Sequence, residues 1–307
     1  MPNTRVYWLH ALSPTHVGVG RGVGYIDLPI DREAITDWPV IRGSAFKGVW
    51  ADRYKADDEN RKNNPELKAA FGLSSDKDNN ANSGSLIPTD ARLVCLPVRS
   101  FRGTFAWCTS SLALRMLHRT LNLAGATNLP GVPDAVPEAF GNNPGQAHVT
   151  AITLLIEDSR VCLEDLDLVA VEKPLVVAWA KWIAEHVFPG DAAWQGEFEK
   201  RFVVLPDTVF DFLTETGTEV NTRVRIDNDT KTVVDGALWT EESVPAETIF
   251  AGVVACDRVY PKTTGVTETG LLTKFASEPL TLQIGGKATV GRGQMRCVFT
   301  NPNGGAK

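Results

Sequence analysis

The sequence predicts an α+β fold, and three observations lead to this prediction. Segments with alternating apolar and polar residues, which favour strands, are mixed with helical patterns in no regular order, so steady βαβ alternation is missing. Two alternating segments, 220–226 and 231–238, flank an Asp-Asn-Asp-Thr sequence, which is the pattern of a β-hairpin. A glycine-rich turn lies beside a predicted strand near each end of the chain. No internal repeat is visible.

Length and composition indicate an ordinary globular protein. The chain has 307 residues, enough for one large domain with insertions or two smaller ones, and it is 43% hydrophobic and 22% charged. No signal-peptide segment is visible at the start, and the apolar run 174–182 is too short to span a bilayer. The five cysteines form no CxxC pair, which argues against a disulfide framework or a structural zinc site. We therefore expect a cytoplasmic protein with no membrane partner.

The charge of the chain restricts the ways in which it can bind nucleic acid. A net charge of −6 argues against non-specific nucleic-acid binding. It is compatible with a local basic groove, because Arg and Lys cluster beside both glycine-rich segments. The acidic residues concentrate elsewhere, as in 57–59 and 157–167.

Apolar spacing and boundary residues assign the remaining elements. Ser44 is the predicted N-cap of a helix that ends near residue 54, and a proline in the first turn supports a helix at 174–188. The other predicted helices cover 110–123, 192–202, 207–215 and 265–276. The strands predicted besides the hairpin cover 5–12, 25–30, 92–98, 149–156, 167–171, 247–259, 280–284 and 289–298. Residues 74–85 have the composition of a mobile, disordered loop, and 125–147 are predicted to form a long loop.

The most informative segment covers residues 9–33 and reads LHALSPTHVGVGRGVGYIDLPIDRE. Glycine occupies every second position from 18 to 24, so one side of an extended backbone is bare and can approach a large ligand closely. No Gly-Lys-Ser/Thr follows, and a strand pattern rather than a helix comes next, so neither phosphate-binding fingerprint fits. A barrel corner or a bulged edge strand would also explain the glycines. His16 before the run and Asp27 after it can move protons or bind a metal.

Several long motifs, in the same order, resemble one protein family. Residues 284–293, IGGKATVGRG, resemble the glycine-rich turn that marks the RAMP superfamily of CRISPR proteins. Four further segments resemble the fourth subunit of type III-B (Cmr) effector complexes: LHALSPTHVGVGRGVGYIDLPIDRE, WPVIRGSAFKGVW, PTDARLVCLPVRSFRGTFAWCTS and TEVNTRVRIDNDTKTVVDGALWTEESVP. The resemblance extends from residue 6 to residue 299 and so covers essentially the whole chain.

This resemblance implies a fold and a function. The fold is a modified RRM-like (ferredoxin-like) core in a single domain, 1–307, with insertion loops near 55–90 and 125–147, a helical insertion near 172–216 and a protruding β-hairpin thumb near 217–240. Copies of the subunit would stack in a filament along one guide RNA, together with other Cmr subunits. Each thumb would insert between guide and target RNA. Each copy would carry a site, dependent on Mg²⁺ or another divalent metal, that cleaves the target RNA at regular intervals.

The resemblance also assigns candidate catalytic residues. Asp27 matches the family's catalytic aspartate, and a carboxylate can position a divalent metal or accept a proton. His16 lies eleven positions earlier, as in the family, and is either an acid, base or phosphate-orienting group or a packed histidine. Glu241 matches an acidic position that can assist the metal, although the aromatic residue common near Ser243 is absent. From the sequence pattern alone, Asp27 would be predicted to cap a turn, and Glu242 to be solvated.

RNA-binding residues are expected on the glycine segments, the first helix N-terminus and the thumb. Free N–H groups at a helix start can hold a phosphate, and an arginine between glycines reaches a phosphate without steric cover. Because a guide varies in sequence, recognition must use its backbone and 2′-hydroxyls. Lys47 and Arg292 would also fit solvated surface positions that make no contact with RNA. The candidates are Gly20, Arg21, Gly22, Arg42, Ser44, Lys47, Arg223, Arg225, Lys231, Gly286, Lys287 and Arg292.

Two other functions stay open from the sequence. One is a catalytically silent scaffold that binds guide and target RNA, for which Asn or Ala would be expected in place of Asp27. The other is a guide-processing endoribonuclease of the same superfamily, against which the segments TDARLVCLPVRS and GALWTEE argue. Trp107 and Trp239 are predicted to lie in the core rather than to stack on bases.

Overall fold

The structure is a computed structural model that describes residues 3–20, 22, 24–74, 81–141, 143–262 and 265–303. Its helices are α1 (Gly43–Arg53), α2 (Asp58–Asn63), α3 (Pro65–Phe71), α4 (Ser111–Leu123), α5 (Pro174–Val187), α6 (Ala192–Arg201), α7 (Asp207–Thr216) and α8 (Glu268–Phe275). Its strands from the start of the chain to the middle are β1 (Thr4–Ala11), β2 (Val40–Ile41), β3 (Gly72–Leu73), β4 (Asn82–Ser83), β5 (Ile87–Pro88), β6 (Ala91–Arg99), β7 (Phe105–Ser110), β8 (Gln146–Val149) and β9 (Ile156–Glu157). The remaining strands are β10 (Arg160–Leu163), β11 (Leu166–Glu172), β12 (Phe202–Leu205), β13 (Glu219–Ile226), β14 (Val233–Ser243), β15 (Ile249–Ala255), β16 (Leu280–Gln283) and β17 (Gln294–Thr300).

One large sheet organises the molecule, which confirms the α+β prediction. Its strands follow the order β16-β17-β1-β15-β6-β7-β12-β8-β11-β10-β9. At its centre, β17, β1, β15 and β6 pair antiparallel, while α1 follows β1 and α8 follows β15. Numbered along the chain, these four strands have the order 4-1-3-2. This order, with its two helices, is compatible with the ferredoxin-like core that the resemblance implies.

Both faces of the central sheet are covered. Side chains alternate along β1, so Tyr7 and Leu9 pack on the side of α1 and α8, and Val6 and Trp8 pack on the side of α4 and α5. Tyr7 stacks on Phe46 of α1 with ring centroids 4.2 Å apart. Because neither face of β1 is open, bases cannot stack on it as they do on the bare sheet of an RRM.

The predicted β-hairpin is present as a separate two-stranded sheet. Strands β13 and β14 pair antiparallel from Glu219 opposite Ser243 to Ile226 opposite Val233, with an irregularity between Val224 and Ile226. Most of its residues are exposed towards the tip, whereas the end of β14 is buried in the body of the protein. The hairpin therefore projects from a fixed base. Among the helices within the described residues, none is long and apolar enough to cross a membrane.

Three sequence predictions of strands differ from the structure. Residues 25–30 form isolated bridges rather than a strand, because Pro29 lacks an N–H donor and Asp27 bonds to a side chain. Residues 150–155 form a turn, in which Thr153 N donates to Thr150 O, so β8 ends at Val149. Residues 288–290 form a 3₁₀ turn, and the strand predicted from 289 begins only at Gln294. The other predicted helices and strands are confirmed, with their ends shifted by a few residues.

The two predicted loops have different outcomes. Residues 125–145 contain no helix or strand among those described, as predicted, and β8 follows. Of the predicted disordered loop 74–85, residues 75–80 lie outside the described residues. The end of that loop is ordered, because Asn82 and Ser83 pair with Leu73 and Gly72.

Candidate functional site

The candidate site lies at the base of the hairpin, where β14 meets both glycine-rich turns. Isolated bridges join Leu28 to Glu241, and Thr15 to Val244. A third bridge joins His16 to the late glycine turn at Gly286, whose N–H donates to His16 O at 2.9 Å. The two glycine turns are therefore adjacent, although their sequences lie near opposite ends of the chain.

Asp27 is exposed and its carboxylate is fixed by Thr240 of β14. Oδ2 of Asp27 accepts hydrogen bonds from Thr240 N at 2.8 Å and from Thr240 Oγ1 at 3.0 Å. In return, Asp27 N donates to Thr240 Oγ1 at 3.0 Å. The other oxygen, Oδ1, has no hydrogen-bond partner among the described residues. The carboxylate therefore keeps one free oxygen directed away from its anchor.

His16 is 7% exposed, and its ring is fixed by β14 as well. Its Nδ1 lies 2.6 Å from the carbonyl oxygen of Glu242, which can only accept, so Nδ1 carries the proton. In the neutral ring, Nε2 is then left with a lone pair. Nε2 faces Gly18, where an added Cβ would lie only 2.6 Å from it. His16 can therefore accept a proton, or donate one when protonated, directly beneath the glycine-rich backbone.

The glycine turns are shaped by close backbone contacts. A Cβ on Gly285 would collide with the carbonyl of His16, and Gly285 also has a φ of +84°. At Gly20, whose φ is +74°, no other atom lies near the position of a Cβ. The first contact explains how the two turns can pack together. The second leaves an open surface that a ligand backbone can approach.

Glu241 is neutralised by neighbouring cations. It is buried, and its carboxylate pairs with Lys287 Nζ at 2.7 Å and with Arg223 Nε at 3.4 Å, while Trp239 Nε1 donates to it at 2.7 Å. Burial alone would raise the pKa of Glu241, but the hydrogen bonds from Lys287 and Trp239 outweigh it, so the pKa lies below its usual value. Trp239 is half-buried on the hairpin, so its predicted core position is wrong, whereas Trp107 is fully buried as predicted.

Glu242 is buried rather than solvated, which corrects the prediction from the sequence pattern. Its carboxylate pairs with Arg32 Nη2 at 2.6 Å, and accepts from Ile30 N and Thr218 Oγ1, both at 3.0 Å. The side chains of Glu242 and Arg32 are 3% and 16% exposed. This ion pair ties the segment after Asp27 to the base of the hairpin. The Glu242–Arg32 ion pair could not be predicted from the sequence, because two consecutive glutamates are typical of a solvent-exposed segment.

Several of the predicted RNA-binding cations already have carboxylate partners. Arg42 pairs with Asp31 at 2.7 Å and with Asp90 at 3.1 Å, and the Asp31 hydrogen bond raises the pKa of Arg42 further above its usual value. Arg292 is 12% exposed and pairs with Glu219 at 3.3 Å. By contrast, Arg225 and Lys231 are exposed on the hairpin, with no ion-pair partner among the described residues. Among the predicted RNA-binding cations that the structure describes, the exposed ones without a carboxylate partner therefore lie on the hairpin.

The start of α1 also differs from the prediction. The helix begins at Gly43, so Ser44 is an exposed residue of the first turn and not the N-cap. The N–H of Gly43 donates to Asp90 Oδ1 at 2.8 Å, so one of the N–H groups predicted to be free is occupied. Burial, followed by the charge of Arg61, lowers the pKa of Lys47 one turn further on.

The remaining predicted contacts are in the two turns. Gly22 is exposed, and an added Cβ there would make only ordinary contacts with the backbone. Gly286 and Lys287 lie against His16 and Glu241 respectively. Arg21 lies outside the described residues.

The residues fit a divalent metal only in a limited way. Within the part of the chain that the structure describes, no group of three or more His, Cys, Asp or Glu side chains could hold a metal ion. Glu241 is already bound by two cations, which leaves Asp27 Oδ1 as the exposed carboxylate oxygen of the site. Mg²⁺ commonly takes one or two carboxylates and completes its shell with water and substrate phosphates. The site therefore fits an ion that Asp27 shares with a bound phosphate.

Comparison with known proteins shows the family of the chain. The model of the RAMP superfamily matches residues 8–296. The CRISPR system Cmr endoribonuclease Cmr4 of Pyrococcus furiosus is 32% identical over 302 residues, which cover 97% of this chain and 96% of that protein. The CRISPR system CMR subunit Cmr4 of Saccharolobus solfataricus is 24% identical over 307 residues, 96% of each chain. The chain therefore belongs to the RAMP superfamily and, within it, to the Cmr4 family.

Solved structures show the same fold. The crystal structure of oligomeric Cmr4 from Pyrococcus furiosus superposes with a TM-score of 0.70 at 25% identity and covers 97% of both chains. A chain of the type III-B Cmr-beta complex bound to cognate target RNA superposes with a TM-score of 0.71 at 20% identity and covers 96% of both chains.

Proposed function

We propose that this chain is a backbone subunit of a type III-B CRISPR effector complex that binds guide RNA and cleaves complementary target RNA. One observation carries the proposal: over nearly its whole length the chain is 32% identical to a protein named a Cmr endoribonuclease. The arrangement of Asp27 and His16 beside two adjacent glycine turns supports it. The proposed place of action is the cytoplasm.

The proposed partners are guide RNA, target RNA, further copies of this chain in a filament, and other Cmr subunits. The glycine turns offer bare backbone to a phosphodiester chain, which suits recognition that does not depend on guide sequence. The exposed Arg225 and Lys231 lie on the hairpin, which we propose acts as the thumb between guide and target. The crystal structure of a relative described as oligomeric Cmr4, and the cryo-EM structure of a Cmr-beta complex bound to cognate target RNA, support these partners.

Asp27 and His16 are the proposed catalytic residues. Asp27 is anchored by Thr240 of β14, and His16 is anchored by Glu242 of the same strand. These two anchoring residues are two positions apart, so they lie roughly 7 Å from each other along the strand. Attack of a 2′-hydroxyl on the adjacent phosphate requires removal of the hydroxyl proton, and Nε2 of His16 has the lone pair to accept it. Asp27 presents Oδ1 to the reacting phosphate. A divalent ion held there would neutralise charge on the phosphate oxygens.

Glu241 has a different proposed role. Because Lys287 and Arg223 already neutralise it, we propose that it fixes the late glycine turn to the hairpin rather than binding the metal. Of the three candidate catalytic residues, Asp27, His16 and Glu241, only Asp27 is then proposed to bind the metal.

The proposal is tested by assembling the effector complex with this subunit, a guide RNA and a labelled complementary RNA. With Mg²⁺ we expect products at regular intervals, and with EDTA we expect none while the target stays bound. Cleavage that persists in EDTA would contradict the metal requirement. Binding without cleavage under both conditions would contradict the proposed activity.

A catalytically silent scaffold is the second candidate, and one observation favours it. The acidic residue next to the site, Glu241, is paired with Lys287 and Arg223, so it is not free to hold a metal together with Asp27. The assay above separates the two candidates, because a scaffold binds target RNA and leaves it intact.

A further inference from the structure

We propose that Thr240 is a positioning residue that sets the Asp27 carboxylate for cleavage. The inference rests on the proposed function, since it assigns a role relative to Asp27. It concerns a hairpin residue that does not itself present a charged or titratable group to the RNA.

The geometry around Thr240 determines which oxygen of Asp27 is free. The backbone N–H and the hydroxyl of Thr240 both donate to Oδ2, at 2.8 and 3.0 Å, so this oxygen is engaged twice. The hydroxyl oxygen also accepts from Asp27 N at 3.0 Å. Two bonds to one oxygen and one to the backbone of the same residue fix the side-chain rotation of Asp27. Oδ1 of this exposed residue is left without a hydrogen-bond partner among the described residues.

A second acceptor, the carbonyl oxygen of Tyr25, competes with Asp27 for the single proton of the Thr240 hydroxyl, and the contact with Asp27 is the shorter one. Thr240 Oγ1 lies 3.2 Å from the carbonyl oxygen of Tyr25, so its single proton is shared between Tyr25 O and Asp27 Oδ2. The hydroxyl therefore spans the turn between Tyr25 and Asp27 and holds both to the hairpin.

The backbone around Thr240 is held by bonds that do not involve its side chain. Leu28 N donates to Thr240 O at 3.0 Å, and Glu242 N donates to Leu28 O at 2.9 Å. Removal of the hydroxyl should therefore leave the segment paired with β14. This separates the effect on Asp27 orientation from an effect on folding.

The position of Thr240 links the carboxylate to the hairpin. Thr240 lies opposite Thr222 in the paired strands, within the same two-stranded sheet that carries the exposed Arg225. The group that orients Asp27 is thus part of the element proposed to contact RNA. Asp27 and the hairpin base form one unit.

The test compares Thr240→Val with Thr240→Ser in the assembled complex. Valine keeps the branched shape and loses the hydroxyl, whereas serine keeps the hydroxyl. We expect Thr240→Val to lower the single-turnover cleavage rate at saturating target by about 10- to 100-fold, the usual effect of losing a supporting partner of an active group. Target affinity should stay within about twofold, and Thr240→Ser should restore most of the rate.

The matched control is Thr222→Val, which makes the same change on the facing strand. Thr222 is exposed and makes no hydrogen bond with Asp27. A purely structural effect of valine in the hairpin would slow both variants and lower both melting temperatures. We expect only Thr240→Val to slow cleavage.

Several results would overturn the positioning role of Thr240. A wild-type cleavage rate for Thr240→Val would overturn it, provided that Asp27→Asn is inactive in the same assay. Equal slowing by Thr222→Val, or a loss of assembly that Thr240→Ser does not reverse, would also overturn it. If Asp27→Asn cleaves normally, the proposed function is contradicted instead, and the positioning role is rejected with it.

Discussion

Glycine at position 18 leaves room for the ring of His16, which can accept or donate a proton. Gly18 has no positive φ, so its backbone does not require glycine for conformational reasons. What excludes a side chain is His16 Nε2, which would lie 2.6 Å from a Cβ. The glycine therefore makes room for the imidazole, and the Glu242 carbonyl fixes which nitrogen carries the proton.

Gly18→Ala tests this arrangement. The methyl group should displace the His16 ring from its bond to Glu242 O, and we expect cleavage to fall by about 100-fold, the lower end of what a positioned acid or base contributes. Single-turnover cleavage and target binding are the measurements. Gly196→Ala is the control, because Gly196 lies in α6, outside the site, and no other atom lies within 4 Å of a Cβ added there. Equal rates for the two variants would contradict a role for the His16 ring.

At the scale of elements, the buried Glu242–Arg32 pair joins the hairpin base to the loop that carries Asp27. Removing Glu242 leaves the Arg32 guanidinium, whose side chain is 16% exposed, without its carboxylate partner. The pair also satisfies the N–H of Ile30 and the hydroxyl of Thr218. Its loss should therefore affect the stability of the whole subunit and not only of the hairpin.

We expect Glu242→Ala to lower the free energy of unfolding by about 3–5 kcal/mol, the typical effect of breaking a buried ion pair. Urea denaturation of the purified subunit measures this. Glu215→Ala removes an exposed carboxylate near the end of α7 and should change stability by less than about 0.5 kcal/mol. Similar values for both variants would show that Glu242 is not part of the structural base.

Glu241 makes the hairpin base sensitive to acid. Its pKa in the folded protein lies below the usual 4.5, so its stabilising contribution is complete above that pH and is lost as the pH falls through the lowered pKa. We expect the difference in unfolding free energy between wild type and Glu241→Gln to shrink steadily below pH 4.5. Denaturation at several pH values between 6 and 3 measures it. A difference that does not depend on pH would contradict the ion pairs described for Glu241.

At the scale of the whole molecule, the arrangement of charges limits where RNA can bind. Arg42 and Arg292 are held by carboxylates of the same chain, whereas Arg225 and Lys231 have no such partners among the described residues. Both faces of β1 in the central sheet are packed against other side chains. Binding should therefore depend on the hairpin and the glycine turns.

Arg225→Gln should weaken RNA binding and reduce the slope of log affinity against log salt by about one, the loss of roughly one phosphate contact. Arg292→Gln should leave the slope unchanged, because Arg292 is paired with Glu219. Binding of the assembled complex to target RNA at several salt concentrations measures both. Equal losses would show that the Arg292 pair opens to bind RNA.

The sequence was sufficient for features that depend on local patterns. The periodicity of β1, the amphipathic helix α4 and the turn between β13 and β14 each lie within one segment, and each was predicted. The resemblance supplied Asp27 and His16 as candidates. The partners that fix them were not predictable, because Thr240 lies 213 residues from Asp27 and Glu242 lies 226 residues from His16. The pairing of Arg42 and Lys287 with carboxylates likewise depends on tertiary contacts.

The most direct test of the account is to map the cleavage products of a complex that contains Asp27→Ala. We expect normal assembly and target binding and the loss of every regularly spaced product, because Asp27 carries the free carboxylate oxygen of the site. The control, Asp165→Ala, removes an exposed carboxylate at the turn between β10 and β11 and should leave the product pattern unchanged. Regularly spaced products from the Asp27→Ala complex, at the wild-type rate, would contradict the catalytic role proposed for Asp27.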